Sequence, residues 1–169
     1  MAELTQKERL QPSLLDRLTD QEPEQRAESR EKRILSPSKL RESVRRDLTW
    51  LFNTPNLATV LDLEPFPWVA ESVVNYGLPP LAGRTTSSVD IPDMERLLRQ
   101  AIWTFEPRLN KNSIRVRLVA DQALMSHNAL SFYIEAELWA QPIPLRLFLK
   151  TEIDLESGSA NVVDAGGPG

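Results

Sequence analysis

The chain has 169 residues, 41% hydrophobic and 26% charged, and its 24 acidic against 20 basic side chains give a net charge of −4. Such a balance suits one domain with a modest core and lacks the basic footprint of a general nucleic-acid binder. The absence of cysteine and the single histidine, His127, exclude disulfides, thiolate metal sites, the usual zinc sites and His-dependent triads. The opening "MAELTQKERLQPSLLDRL" has no apolar core for a signal peptide. Nowhere do the ~18 consecutive apolar residues of a membrane span occur. A cytosolic protein is expected.

Residues 1–36 are rich in charge and poor in apolar groups apart from "LLDRL". Leu14, Leu15 and Leu18 fit one helical turn behind Ser13 as cap. The following "TDQEPEQRAESREKR" has no hydrophobic face, so residues 1–36 read as a mobile charged arm, either a solvated tail or one that docks its leucines on a partner. Leu40, Val44, Leu48, Leu51 and Phe52 then recur at spacings of three and four, the stripe of an amphipathic helix over 38–53. Ser38 is its expected cap and Asn53-Thr54-Pro55 its end. Its outer face carries Arg41, Arg45 and Arg46 beside Glu42 and Asp47, a pattern shared by solvated faces and docking faces. In "LEPFPWVAESVVNYGLPPLAG", Pro67 suits a first helical turn, Val69, Val73 and Tyr76 share a side, and Gly77 suits a left-handed cap. A third helix opens at Asp90 and buries Ile91, Met94, Leu97, Leu98, Ala101, Ile102 and Phe105. It ends at Glu106, because Pro107 disfavours helical geometry in the residue before it.

Beyond that point the apolar period falls to two. "SIRVRLV", "ALSFYIEAELW" and "PLRLFLKTEIDL" alternate as strands, and "ANVVDA" adds a short fourth after the turn "ESGS". Helices first and strands after, with connections too short for crossovers, predict an α+β fold. Its helices cover one face of a small antiparallel sheet of about four strands. The expected organisation is the arm at 1–36, a single domain over 37–164 and a disordered tail at 165–169.

Paired carboxylates are the one enzymatic chemistry this composition supports, with Glu106, Glu64, Glu71, Glu135 and Glu137 as candidates. Glu135 and Glu137 share the outer side of a strand, where cross-strand pairing explains them. Glu106 has the cation Arg108 two residues on, a neighbour that suits a binding carboxylate better than a proton donor. No phosphate-cradling glycine loop or nucleophile elbow appears. Neither an enzyme nor a cofactor is expected.

The pieces "LLDRLTD", "SVRRDLTWLFNT", "SVVNYGLPPLAG", "IWTFEPRL", "LSFYIEAEL" and "LRLFLKTEIDLESG" stand in a recognisable order. Over residues 12–164 the chain resembles the type VI secretion baseplate subunits, members of the phage tail baseplate wedge family that is often labelled lysozyme-like. The resemblance implies a domain like the handshake domain of contractile sheath subunits. It also implies a structural role, joining the wedge complex to the sheath and helping sheath polymerisation to begin. An open sheet edge suits that role, since unpaired backbone groups template another strand. The family's Glu-Pro-Arg signature falls on Glu106, Pro107 and Arg108 and implies a docking site there, with Arg45 and Arg46 as further contacts. Implied partners are the other wedge subunits, TssF, TssG and TssK, and the sheath subunits TssB and TssC. Neither nucleic acid nor direct membrane insertion is implied. The isolated chain is expected to be a monomer that works at a baseplate docked on the inner membrane. The alternatives are a peptidoglycan-cleaving muramidase, as the lysozyme-like label suggests, and the equivalent subunit of a phage-like injection machine.

Overall fold

Ser36 and Pro37 open the long amphipathic helix. The computed structural model describes residues 13–19, 24, 36–119, 128–138 and 144–166. The helix α2 spans Pro37–Phe52, and the Ser36 hydroxyl accepts the backbone N–H of Lys39. The cap is thus Ser36 and not Ser38, because a proline in the first turn has its backbone angle already set for the helix and needs no N–H there. The leucine turn forms the short helix α1, Leu14–Leu18, capped by Ser13 as expected. Apart from Ser13–Thr19, Glu24 and Ser36, the arm expected over 1–36 lies outside the described residues, as do residues 167–169 of the expected tail.

The stretch after α2 departs from the single helix that its valine spacing suggests. Helix α3 covers only Pro67–Ala70, and Ser72 then accepts from Val74 N to start a separate 3-10 turn, Val73–Asn75. Val73 consequently stands exposed, off the side it was expected to share with Val69 and Tyr76. Gly77 does take the left-handed backbone, with φ 124°. A Cβ there would lie 2.1 Å from the carbonyl oxygen of Thr54. Only glycine allows this approach, across which Leu78 N donates to Thr54 O at 2.8 Å. Helix α4, Ile91–Phe105, begins at the predicted Asp90 cap and ends at Glu106.

Four strands follow, β1 (Arg115–Val119), β2 (Ala129–Leu138), β3 (Leu145–Asp154) and β4 (Ala160–Asp164). They pair antiparallel in chain order, β1-β2-β3-β4. The inward residues of the strands, among them Val116, Leu130, Phe132, Ile134, Leu147, Leu149 and Ile153, are buried on one face. They meet Leu40, Val44, Leu48, Leu51 and Phe52 of α2 and Met94, Leu98, Ala101 and Ile102 of α4 in one apolar cluster. The α+β fold with helices laid on one face of the sheet is therefore present. Among the described residues no helix is long and apolar enough to cross a membrane.

Side chains occupy part of both sheet edges. On β4, Asn53 Nδ2 donates to Ala160 O at 2.7 Å and Ala160 N donates to Asn53 Oδ1 at 2.9 Å. On β1, Leu118 N donates to a carboxylate oxygen of Glu95, on α4, at 2.7 Å.

Candidate docking site

The Glu-Pro-Arg stretch forms a tight turn where α4 hands the chain to the sheet. Leu109 N donates to Glu106 O at 3.2 Å, which closes the turn with Pro107 in its second position. Asn110 N then reaches Glu137 O at 2.8 Å and brings the chain onto the sheet. Glu106 is only 3% exposed although it carries a charge. Burial of a carboxylate is tolerated when its oxygens are bonded to a cation. Here one oxygen accepts from Arg108 N at 3.0 Å and Arg108 Nε at 2.7 Å, and the other from Arg108 NH2 at 2.5 Å.

The guanidinium of Arg108 continues outward. Its NH2 donates to Asp47 Oδ2 at 2.6 Å and its NH1 to the Ser43 hydroxyl at 2.9 Å, both on α2. Burial works against the charged guanidinium, but the bonds from Glu106 and Asp47 outweigh it and raise its pKa. The other oxygen of Asp47 accepts from Arg46 Nε at 2.9 Å. Arg46 also pairs with Asp16 of α1, to which Ser43 donates at 3.0 Å. Arg46, the principal influence on Asp16, holds that carboxyl down at about 2. The plane of Arg46 lies over the Trp50 ring, 4.9 Å from its centroid. Carboxylates and guanidinium groups thus alternate in the order Glu106, Arg108, Asp47, Arg46, Asp16. They join the end of α4, the middle of α2 and the short α1.

Of the five residues singled out in the sequence, Glu106, Pro107, Arg108 and Arg46 come together. Arg45 points elsewhere and donates to Val162 O on β4 at 3.2 Å. Sequence reasoning missed the parts played by Asp47, Ser43 and Asp16. Asp47 had been grouped with the charges of the outer face. Its position one residue after Arg46, and that of Ser43 one turn before it, were the available signal. Asp16, an acid among leucines, was a second.

The arrangement can hold parts together but offers little to acid–base chemistry, since both Glu106 oxygens are committed to Arg108. One concavity among the described residues, about 160 Å³ and lined by residues such as Phe52, Pro55, Leu78 and Pro80, has no titratable side chain in its wall. Among the described residues no group of acidic or histidine side chains could hold a metal ion.

No curated protein and no solved structure matches the chain. The model of the family described as baseplate wedge protein gp25 matches residues 38–143, which include the Glu106 turn and both of its partners on α2. With well over half of its length matched, the chain belongs to the baseplate wedge protein family.

Proposed function

We propose that the protein is the baseplate subunit of a type VI secretion system, in the role of TssE. It would join wedge subunits of the TssF, TssG and TssK kinds to the first sheath subunits, TssB and TssC, and help the sheath to begin. Membership of the wedge family supports a structural and not an enzymatic role. The observation that carries the reading further is the ionic chain, buried at Glu106 and half-buried beyond it, which ties three separate helices into one face. Such bracing suits a junction that bears load and is built many times over, because pre-set geometry lowers the ordering cost of each assembly step. In this reading Glu106 and Pro107 act from beneath by fixing the turn. Arg108 and Arg46, which keep part of their guanidinium groups in solvent, present the face, and Arg45 marks its border with β4. The working place is the cytosolic side of an inner-membrane-docked baseplate.

The test is the Arg45→Glu, Arg46→Glu double variant in the host, with thermal melts of the purified protein and fluorescence imaging of sheaths. A folded variant that no longer co-purifies with its wedge partners and supports no sheath is expected. Normal sheaths would remove these two arginines from the docking face. Loss of turbidity when the wild-type protein meets isolated cell walls would instead support the muramidase alternative.

A further inference from the structure

Between α2 and α4 the chain builds a lobe from the turn Leu57–Thr59, helix α3 and the turn Val73–Asn75. Asn75 clips these pieces together. Its Oδ1 accepts from Ala58 N at 2.9 Å and its Nδ2 donates to Ala70 O at 2.8 Å. Tyr76 anchors the lobe to the body: its ring packs edge-on against Phe105 of α4, and its hydroxyl donates to Asp47 O at 3.2 Å. On this braced support the apolar side chains face outward. Trp68 is 87% exposed, and Val60, Leu61, Phe66, Val73 and Val74 are exposed with it. Together they present on the order of 700 Å², near one side of a standard protein interface. A monomer seldom leaves so much apolar surface in one place unless something covers it.

Charge identifies the kind of cover. Asp62, Glu64 and Glu71 are exposed in the lobe, and no lysine or arginine occurs between Asp47 and Gly83. An acidic rim around apolar side chains disfavours a second copy of this lobe, which would set acid against acid across a two-fold axis. It also disfavours an anionic membrane surface. We propose that this lobe is a docking surface for a segment of another protein whose apolar side chains are flanked by lysine and arginine. Trp68 is its central contact, since large exposed aromatics carry a disproportionate share of interface energy. The exposed side chains of this surface are not members of the ionic chain around Arg108, so substitutions on the two can be read separately.

The experiment places a photoreactive benzophenone amino acid at position 68 of the full chain in the host. The same group at position 103, where Trp103 is exposed on α4, is the control. Cross-linked peptides are identified by mass spectrometry. A cross-link from position 68 into an apolar segment of a different protein, bordered by basic residues, is expected. The triple variant Asp62→Lys, Glu64→Lys, Glu71→Lys should melt with the wild type yet lower the yield at least about fivefold. A cross-link to this same chain, to lipid or to an acidic segment would overturn the proposal. So would a yield no greater than at position 103, or one that the folded triple variant leaves unchanged.

Discussion

Replacing Glu106 by alanine removes a carboxylate that is 3% exposed and takes three N–H bonds from Arg108. Two of those bonds come from the charged guanidinium. Each bond to a charged group contributes about 1.5–3 kcal/mol, and breaking a buried pair costs about 3–5 kcal/mol. Arg108 keeps Asp47 and Ser43 and is 23% exposed, so water can recover part of the loss. A destabilisation of roughly 2–4 kcal/mol is the net expectation, equivalent to a melting point lower by roughly 5–15 °C. Urea unfolding followed by tryptophan fluorescence measures it. A cycle with Arg108→Ala should show a coupling of about 1.5–3 kcal/mol, because each partner loses most of its purpose without the other. Loss of under about 0.5 kcal/mol in Glu106→Ala, with no coupling, would mean the pair behaves as a solvated surface bridge and would refute the bracing argument.

Three further outcomes are expected. Gly77→Ala should destabilise by several kcal/mol, because φ of 124° and the Thr54 carbonyl both exclude a Cβ; an unchanged melting temperature would contradict this. Leu48→Ala and Phe132→Ala should each cost roughly 2–5 kcal/mol in denaturant unfolding, since both side chains lie fully inside the core. The carboxyl of Asp16 is held at about 2 against an ordinary 3.8, chiefly by Arg46. Its bond therefore contributes fully above about pH 4 and is lost as pH falls through about 2, with roughly 1 kcal/mol at stake after solvent screening. Hydrogen-exchange protection across Leu14–Leu18, measured against the intrinsic exchange rate at each pH, should fall in that window. Asp16→Asn should abolish this local pH dependence of protection in α1; equal pH dependence there in both proteins would refute the Asp16 anchor.

The elements that could be read from the sequence are those whose signal is periodic. The stripe from Leu40 to Phe52, the stripe from Ile91 to Phe105 and the alternation in the strands each repeat often enough to specify which side is buried. Helix 67–76 misled because its valines had helical spacing over less than three turns, and the Ser72 hydroxyl competed successfully for the backbone. The site was half legible. Proline between two opposite charges marked Glu106 and Arg108 as fixed, but not toward what. Their partners Ser43 and Asp47 lie some sixty positions away on a helix whose charges all looked alike, and only packing singles those two out.

The same helix also qualifies the expectation of a free sheet edge. Strand addition at β4 needs its outward N–H and C=O groups, yet Asn53 holds both groups of Ala160 and Arg45 holds the carbonyl of Val162. These side chains satisfy the edge as a neighbouring strand would, which is one way a sheet protein avoids pairing at random. A sheath strand arriving there would exchange these side-chain bonds for ladder bonds, a near-balanced trade in hydrogen bonding. The advantage would have to come from apolar burial around the new strand. Arg45 then connects the two halves of the molecule: it sits next to Arg46, which belongs to the ionic chain, and its own guanidinium rests on the sheet edge. Displacement of Arg45 by an incoming strand would return its guanidinium to solvent on a flank of α2 different from that of Arg46, since successive helical side chains do not face each other.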